Sequence, residues 1–328
     1  MAVLVTGVAG FIGSHVATSL LARGEEVLGI DSLNDYYDVR LKEARLARLT
    51  ANRSFSFNRL DLADRTALKD ATAAFGRIDR VIHLAAQAGV RYSLTHPEAY
   101  VRSNLEGHFA VLELCRGLKG FQHLVYASSS SVYGGNDKLP FSVSDSVDRP
   151  ISLYAATKKA DELMSHCYAH LYDLPMTGLR YFTVYGPWGR PDMAAYIFTR
   201  AILAGEPIRL FNAGDMKRDF TFIDDAVAGT IAALDRPPRR NSGPGAAPHR
   251  VYNIGNHRSE PLMRLVALIE AATGKTATIE SAPMQPGDVR ETYADIEASE
   301  RDLGFAPRTT IDEGIPKFVA WYRQYHGA

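Results

Sequence analysis

Residues 2–13 read AVLVTGVAGFIG, and this stretch decides the fold. Its first five residues are mostly apolar and β-branched, as is typical of a buried parallel strand. Gly7, Gly10 and Gly13 follow in the spacing G-x-x-G-x-x-G. Glycines in this arrangement permit a tight turn and let the backbone approach a diphosphate at the N-terminus of the next helix. The stretch therefore predicts a strand, a turn and a helix that together bind a dinucleotide.

The residues after this turn complete a βαβ unit. Apolar residues recur at helical spacing over residues 14–23, and Gly24 ends the pattern. Residues 26–31 are predicted to form a second strand that ends at Asp31. An acid at that position binds the hydroxyls of the adenosine ribose and repels a 2′-phosphate. We therefore expect the cofactor to be NAD rather than NADP.

Strands and helices continue to alternate along the chain, which predicts an α/β fold. We expect a Rossmann-type doubly wound parallel sheet, together with a smaller mixed α/β lobe that binds the substrate. The predicted NAD-binding domain covers residues 1–180, and the chain is expected to return to it at about 219–255. Residues 181–328 are expected to form mainly the substrate lobe.

Local patterns give four further predictions. Residues 40–49 form a basic helix whose charges are mostly solvated, and residues 97–117 form one long helix that contains Asn104. Residues 217–223 form a strand, after which Asp224 caps a helix that runs to Leu234. Residues 235–250 form a mobile loop.

Composition excludes several classes of protein. The chain has 328 residues, with 37 Lys and Arg against 37 Asp and Glu, so its net charge of zero does not suggest a nucleic-acid or membrane partner. Its two cysteines, Cys115 and Cys167, form no disulfide framework. We see no signal peptide and no apolar run of membrane-spanning length, so we expect a cytoplasmic protein. His166 and His170 are four residues apart but have no third ligand, and we expect no metal.

Tyr154 and Lys158 are four residues apart in a predicted helix, so their side chains project from one face. An ammonium group near a phenol favours the phenolate, which makes Tyr154 a candidate general acid and base for an alcohol. Ser128 to Ser131 follow the predicted fifth strand and reach the carboxyl edge of the sheet, where open α/β sheets bind ligands.

Together these motifs make the sequence resemble the extended short-chain dehydrogenase/reductases that act on nucleotide sugars, over essentially its whole length. The motifs that carry the resemblance are TGVAGFIG at 6–13, HLAA at 83–86, SSSVYG at 129–134, Tyr154 with Lys158, RYF at 180–182, VYGP at 184–187, RDF at 218–220 and DD at 224–225. Three further segments resemble the UDP-glucuronate 4-epimerases, namely LNDYYD at 33–38, GPWGRPDM at 186–193, and FN at 211–212 with MKRDF at 216–220.

The resemblance implies an interconversion of UDP-glucuronate and UDP-galacturonate with tightly bound NAD. Tyr154 would take the proton of the C4 hydroxyl while hydride passes to NAD, and the resulting 4-keto sugar would turn before hydride returns to its other face. Lys158 would tune Tyr154 and hold the nicotinamide ribose, and Ser129 would hydrogen-bond the reacting oxygen. The resemblance also implies a homodimer, formed by the helices of Asn104 and Tyr154.

Motif positions and the resemblance together give two sets of site residues. The predicted NAD-binding residues are Gly7, Gly10, Phe11, Ile12, Gly13, Asp31, Asn34, Asp61, Leu62, Leu84, Ala85, Ala86, Gln87, Asn104, Ser128, Tyr154, Lys158, Tyr181 and Val184. The predicted substrate-binding residues are Arg91, Ser93, Ser129, Ser130, Ser131, Tyr154, Thr183, Arg190, Phe211, Arg218 and Asp288. Within the second set, Phe211 is expected to contact uracil and Arg218 to bind the diphosphate.

Ser130 and Ser131 separate the related reactions. Related 4,6-dehydratases carry an Asp-Glu pair at these positions, and related UDP-glucuronate decarboxylases carry a Glu at the second. Serine hydroxyls can donate to a substrate carboxylate without repelling it. We therefore hypothesise that Ser130, Ser131 and Thr183, with Arg190 nearby, hold the carboxylate so that the 4-keto sugar does not lose CO₂. A serine turn needed only for packing is the alternative.

Three other functions stay open on the sequence alone. Two are enzymes of the same fold, a UDP-glucose 4-epimerase and a UDP-glucuronate decarboxylase. The third is a non-catalytic NAD-binding protein, which would not need Tyr154, Lys158 and Ser129 together. Residues 287–290 resemble a substrate-lobe motif in which the family commonly has proline where this chain has Arg290, and this departure leaves the role of Arg290 open.

Overall fold

The structure is a computed structural model that describes residues 1–240, 245–285 and 287–328. Within these residues the strands are β1 (Ala2–Thr6), β2 (Glu26–Asp31), β3 (Phe55–Arg59), β4 (Arg80–His83), β5 (His123–Ser129), β6 (Met176–Tyr181), β7 (Thr183–Tyr185), β8 (Ile208–Phe211), β9 (Lys217–Arg218), β10 (Phe220–Phe222), β11 (His249–Ile254), β12 (Glu260–Pro261) and β13 (Ile279–Ala282). The α-helices are α1 (Phe11–Ala22), α2 (Val39–Thr50), α3 (Arg65–Phe75), α4 (Pro97–Tyr100), α5 (Gly107–Gly117), α6 (Leu153–Tyr172), α7 (Ala194–Ala204), α8 (Ile223–Leu234), α9 (Leu262–Thr273), α10 (Glu297–Leu303) and α11 (Ile311–His326).

The main sheet of the described residues has seven parallel strands in the order β11-β6-β5-β4-β1-β2-β3. Every residue of β1 is buried. Val3 and Val5 pack in a core with residues of α1, α2 and α8, whereas Leu4 packs in a second core with residues of α3, α5 and α6. Helices therefore cover both faces, which is why the strand reads as a continuous apolar run. The predicted doubly wound α/β fold is confirmed.

Smaller elements follow β6. Within the described residues β7 pairs with β10, β8 with β13, and β9 with β12, and these pairs are packed with α7, α9 and α11. The chain then returns to the main sheet at β11, which pairs with β6. Because β6 runs in the same direction as β1, the loop that follows β6 begins at the same edge of the sheet as the glycine turn.

Four local predictions need correction. The stretch from 97 to 117 is not one regular helix, because a π-helical segment at Val101–Glu106, which contains Asn104, separates α4 from α5. The predicted strand 217–223 is split into β9 and β10. Since α8 begins at Ile223, Asp224 lies in its first turn and does not cap it.

The predicted loop 235–250 is too long, because β11 already begins at His249, and residues 241–244 of that prediction lie outside the described residues. Most charges of α2 are exposed, as predicted, namely Arg40, Glu43 and Arg48, whereas Lys42 and Arg45 are buried. A separate finding is that none of the helices in the described part of the chain is long and apolar enough to cross a membrane.

Candidate active site

A cavity of about 420 Å³ lies over the carboxyl ends of the sheet strands. It is lined by residues at or after the ends of β1, β2, β3, β4, β5 and β6, so six parallel strands deliver residues to one place. This is the edge at which open α/β sheets bind ligands. The cavity is therefore the candidate active site.

The glycine turn forms one end of this cavity. Gly7 has a φ of +71°, and a Cβ built on it would lie 2.6 Å from the Ala85 nitrogen, so only glycine fits against the loop after β4. A Cβ on Gly13 would collide with the Gly7 carbonyl oxygen. No side chain caps the N-terminus of α1 at Gly10. The close backbone and the uncapped amide groups fit a dinucleotide diphosphate.

Acidic residues at the ends of β2 and β3 lie beside this turn. Asp31 accepts hydrogen bonds from the backbone nitrogens of Ala9 (3.1 Å) and Leu33 (2.9 Å), so its carboxylate is fixed at the cavity wall. Asp61 also lines the cavity and accepts a hydrogen bond from Arg102 Nε at 2.8 Å. This arrangement suits an adenosine, with a fixed carboxylate for its ribose.

Tyr154 and Lys158 line the cavity from α6. The Ser152 hydroxyl accepts a hydrogen bond from the Ala155 nitrogen and caps the helix directly before Tyr154. The Lys158 ammonium donates to the Ala127 carbonyl (2.9 Å) and to Asp161 Oδ2 (3.1 Å). Lys158 therefore has a fixed position one helical turn from the Tyr154 phenol.

The serine run has two different environments. The Ser128 hydroxyl donates to Glu162 Oε1 at 2.7 Å, and Glu162 also accepts two hydrogen bonds of 2.8 Å from Arg180. Ser129 Oγ donates to Ser131 Oγ and accepts from the Ser131 nitrogen, each at 3.1 Å. All four serines line the cavity, but the Ser128 hydroxyl is used by the buried Glu162, whereas Ser129, Ser130 and Ser131 form a hydroxyl-rich turn.

Arg190 lines the same cavity and is paired with Asp192. Its Nε lies 3.0 Å from Asp192 Oδ1, and the Tyr36 hydroxyl donates to Oδ2 of the same carboxylate at 3.1 Å. Burial alone would lower the pKa of the Arg190 guanidinium, but the Asp192 charge outweighs it and raises that pKa above its ordinary value. Arg190 is therefore a permanent cation at this wall.

The sequence prediction missed Tyr36, Asp192 and Lys42 as site residues. Tyr36 and Lys42 line the cavity, and Lys42 Nζ donates to the carbonyl and to the side-chain oxygen of Asn34, each at 2.6 Å. Burial lowers the pKa of Lys42. Tyr36 and Asp192 belong to the segments LNDYYD and GPWGRPDM, whose resemblance to the epimerases could have indicated both residues. The contact between them joins positions 156 apart, so the sequence does not show it.

Most predicted site residues lie together. Those that line the cavity are Gly7, Gly10, Phe11, Ile12, Gly13, Asp31, Asn34, Asp61, Leu62, Leu84, Ala85, Ala86, Gln87, Ser128, Ser129, Ser130, Ser131, Tyr154, Lys158, Tyr181, Thr183, Val184 and Arg190. Asn104 does not line it. This side chain is 1% exposed, accepts from the Gln87 nitrogen (2.8 Å) and donates to the Gln87 carbonyl and to Thr157. Asn104 thus supports the wall from behind.

Five predicted substrate residues lie outside this cavity. Four of them form a second group, in which Arg91 pairs with Asp288 at 2.8 Å and lies 4.2 Å from the centre of the Phe211 ring. Burial lowers the pKa of Arg218, while the Asp288 charge acts in the opposite direction. The fifth, Ser93, donates to the Val90 carbonyl at 2.6 Å.

In the described residues no group of three or more His, Cys, Asp and Glu side chains comes together. His170 Nδ1 instead lies 3.1 Å from the Ala246 carbonyl.

A doubly wound sheet with this glycine turn, a fixed acid after β2 and a tyrosine–lysine pair at its carboxyl edge defines a dinucleotide-dependent enzyme of the short-chain dehydrogenase/reductase type. Residues 3–255 match the model of the NAD dependent epimerase/dehydratase family, and the chain belongs to that family.

Relatives with more specific names cover nearly the whole chain. The chain is 46% identical to a probable UDP-glucuronate 4-epimerase of Rhizobium meliloti (strain 1021), over 99% of this chain and 97% of the relative. It is 47% identical to UDP-glucuronate 4-epimerase 3 of Arabidopsis thaliana, over 99% of this chain and 77% of the relative. The crystal structure of UDP-glucuronic acid 4-epimerase from Bacillus cereus, in complex with UDP-glucuronic acid and NAD, is similar with a TM-score of 0.89 and 34% identity, over 99% of this chain and all of that one.

Proposed function

We propose that this chain is an NAD-dependent UDP-glucuronate 4-epimerase, which interconverts UDP-glucuronate and UDP-galacturonate. The observation that carries the proposal is the placement of Tyr154 and Lys158 in one cavity with a turn of serines that contains no carboxylate. The similar proteins from Rhizobium meliloti, Arabidopsis thaliana and Bacillus cereus support it, since each bears the name of this activity.

In this proposal the glycine turn and the start of α1 hold the diphosphate of NAD, Asp31 holds the adenosine ribose and Lys158 holds the nicotinamide ribose. The apolar residues Leu62 and Leu84 flank the cofactor. NAD, when bound, accepts the hydride from C4 of the sugar and returns it. Because the cofactor ends each turnover in the state in which it began, it can stay bound.

Tyr154 and Lys158 carry the proton chemistry. Tyr154, as the phenolate, takes the proton of the C4 hydroxyl and gives it back after the 4-keto sugar has turned. The Lys158 ammonium favours the phenolate through its charge. Ser129 hydrogen-bonds the reacting oxygen, so that the three side chains define where C4 lies.

The carboxylate of the sugar needs separate control, because a 4-keto glucuronate is a β-keto acid that readily loses CO₂. Ser130, Ser131 and Thr183 donate hydrogen bonds to this carboxylate in our proposal, and Arg190 supplies a positive charge. These contacts hold the bond to the carboxyl carbon out of line with the carbonyl π system. Serine hydroxyls make these contacts without the negative charge that an acid at position 130 or 131 would place beside the sugar carboxylate.

The nucleotide end of the substrate is assigned to the second group of residues. Phe211 contacts uracil, and Arg218 with Arg91 neutralises the diphosphate. Asp288 fixes Arg91, with which it forms a salt bridge. Ser93 hydrogen-bonds the Val90 carbonyl and so stabilises the segment between this group and the cavity.

We also propose the domain division, the assembly and the location expected from the sequence. Residues 1–180 and 219–255 form the NAD-binding domain, and the rest of 181–328 forms the substrate lobe.

The exposed apolar residues Leu163 and Leu171 of α6, 59% and 62% exposed, support a homodimer formed through this helix and α5. A neutral net charge and no disulfide framework support a cytoplasmic protein without a nucleic-acid or membrane partner.

The test is to incubate purified protein with UDP-glucuronate and no added NAD. We expect an equilibrium mixture of UDP-glucuronate and UDP-galacturonate, with no CO₂ and no UDP-pentose. Release of CO₂ would indicate a decarboxylase, turnover of UDP-glucose alone would indicate a UDP-glucose 4-epimerase, and no turnover of either sugar would indicate a non-catalytic NAD-binding protein.

A further inference from the structure

Arg45 of α2 is a fully buried cation (0% exposed) beside the glycine turn. Its guanidinium uses all five of its N–H donors. Nε and Nη2 both donate to the Trp188 carbonyl, at 3.1 and 2.7 Å, and Nη2 also donates to the Gly189 carbonyl at 3.1 Å. Nη1 donates to the Ala9 carbonyl (3.1 Å) and to the Tyr37 hydroxyl (2.6 Å).

In the described part of the chain this guanidinium forms no salt bridge, and its acceptors are three carbonyls and one phenol. A buried charge without an opposite charge opposes folding, so stability does not explain the presence of Arg45. An apolar residue would fill the same volume at a lower cost of desolvation. What the guanidinium provides is a rigid fork that reaches two separate segments at once.

Those two segments serve two different ligands in the proposed function. Ala9 belongs to the glycine turn for the NAD diphosphate, and Trp188 and Gly189 directly precede Arg190 at the sugar end of the cavity. Trp188 has a φ of +65°, a conformation that a large side chain rarely adopts. The two hydrogen bonds from Arg45 to the Trp188 carbonyl hold this strained residue in place.

We propose that Arg45 is a positioning residue that joins the dinucleotide turn to the loop carrying Arg190, so that NAD and the UDP-sugar strengthen each other's binding. This inference rests on the proposed function. Cofactor binding fixes the backbone of the turn at Ala9. Through its hydrogen bonds Arg45 then fixes the backbone of Trp188 and Gly189, and Arg190, the next residue, is held in the position that binds the sugar. Because coupling between two binding affinities is reciprocal, the bound sugar nucleotide in turn tightens the binding of NAD. Differences in affinity lie mostly in the dissociation rate, so we expect the tighter binding to slow the release of NAD.

Arg45→Lys is the test variant, because lysine keeps the charge but has three donors on one nitrogen and cannot reproduce the fork. Arg48→Met is the matched control. Arg48 lies on the same helix, is exposed, and contacts the Trp188 ring (4.8 Å) and not the backbone of the loop. A general disturbance of α2 would change NAD release in both variants, whereas loss of the proposed link would change it only in Arg45→Lys.

The measurement is the rate at which NAD leaves the holoenzyme, with and without saturating UDP-glucuronate, UDP-glucose or UDP. In the unmodified protein we expect UDP-glucuronate to slow release by about fivefold or more, which is the usual size of such coupling. UDP-glucuronate should slow NAD release by the same factor in Arg48→Met. In Arg45→Lys we expect almost no slowing, that is, a factor near one. An equal factor in all three proteins, or no slowing in the unmodified protein, would overturn the inference.

The outcome is separable from that of the proposed function. If UDP-glucose slows release and UDP-glucuronate does not, the proposed substrate is wrong, while loss of that slowing in Arg45→Lys still supports the link. If Arg45→Lys does not fold, Arg45→Gln takes its place, because its single amide group cannot donate to the Ala9 carbonyl and to the Trp188 carbonyl in the way that the guanidinium fork does. A reduced factor in Arg45→Gln supports the inference, and an unchanged one contradicts it.

Discussion

The Lys158 ammonium lies 3.1 Å from Oδ2 of Asp161, and the two side chains are only 3% and 0% exposed. Burial raises the pKa of the Asp161 carboxyl to about 6 from its ordinary value of 3.8, although the Lys158 charge acts in the opposite direction. In the proposed function this carboxylate partly cancels the positive charge that Lys158 supplies to Tyr154. Asp161 is therefore placed to influence the pH dependence of the proposed proton transfer.

Asp161→Asn is expected to move the acidic limb of kcat/KM toward lower pH, by about one pH unit. The sign follows from the charges. As pH rises through about 6, Asp161 ionises and offsets Lys158, which opposes formation of the Tyr154 phenolate. Asparagine leaves the Lys158 charge uncompensated at every pH, so the phenolate forms at lower pH. A pH profile of epimerisation from pH 5 to 9 measures the shift.

Asp173→Asn is the matched control, because it makes the same chemical change at the exposed end of the same helix. Its profile should coincide with that of the unmodified protein. An unshifted acidic limb in Asp161→Asn, with the enzyme folded and active, would show that Asp161 does not act on Tyr154.

Ser130→Ala, Ser131→Ala and Thr183→Ala are expected to raise the ratio of CO₂ release to epimerisation. Each change removes a hydroxyl that lines the cavity and that, in the proposed function, holds the sugar carboxylate. A carboxylate with fewer contacts turns more freely and reaches the orientation in which its C–C bond aligns with the 4-keto group. Release of ¹⁴CO₂ from labelled UDP-glucuronate, measured beside UDP-galacturonate formation, gives the ratio.

Ser144→Ala, at an exposed serine in the segment after this turn, should leave the ratio unchanged. If the ratio is also unchanged in all three cavity variants, the serine turn serves packing alone, as the alternative reading of the sequence holds.

Glu162→Gln is expected to destabilise the protein by about 3–5 kcal/mol at pH 7, because it leaves the Arg180 guanidinium buried without a full counter-charge. Glu162 and Arg180 are 5% and 4% exposed and share two hydrogen bonds of 2.8 Å. Chemical denaturation of the purified variant measures the loss. The double variant Glu162→Met with Arg180→Met should lose less than the sum of the losses in Glu162→Met and Arg180→Met, since neither charge is then left alone.

The pH dependence of this loss is a further check. Burial would raise the pKa of Glu162, but the hydrogen bonds and charge of Arg180 outweigh burial and lower it below its ordinary value of 4.5. A carboxyl with a lowered pKa in the folded state stabilises above its ordinary pKa, and this contribution disappears as pH falls through the folded pKa. The difference between Glu162→Gln and the unmodified protein should therefore shrink as pH falls from the ordinary value of 4.5 through the lower folded pKa. Asp312→Asn, which breaks an exposed pair with Arg264, should cause a much smaller loss.

The features that could be predicted from the sequence are those that depend on residues close to each other in the chain. The apolar run of β1 and the glycine spacing after it concern neighbouring residues, so the doubly wound fold and the position of the glycine turn could be inferred. Parallel strands bring their carboxyl ends to one edge, and for that reason residues as distant as Gly7 and Thr183 could be expected in one place.

Contacts between distant segments could not be read in this way. The basic residues of α2 repeat as they would on a solvated helix, and nothing in that repeat shows that Arg45 donates to Trp188, 143 positions away. The Tyr36–Asp192 contact is of the same kind. Asn104 is predicted to bind NAD, and nothing in the sequence around it shows that it lies in a π-helical segment with its amide hydrogen-bonded to Gln87 and Thr157.

Asp31→Asn is expected to weaken the preference for NAD over NADP by at least about tenfold, because a carboxylate beside a 2′-phosphate is repulsive and an amide is not. Asparagine can still accept a hydrogen bond through its side-chain oxygen, so part of the contact to Ala9 or Leu33 is kept and the turn retains its shape. The dissociation constants of both cofactors for protein stripped of nucleotide measure the effect. Asp35→Asn, an exposed acid four residues further along the same loop, should leave the preference unchanged. If Asp31→Asn still binds NAD alone, the selection against the 2′-phosphate is steric, and the wall formed by Ser32 and Asn34 becomes the place to seek it.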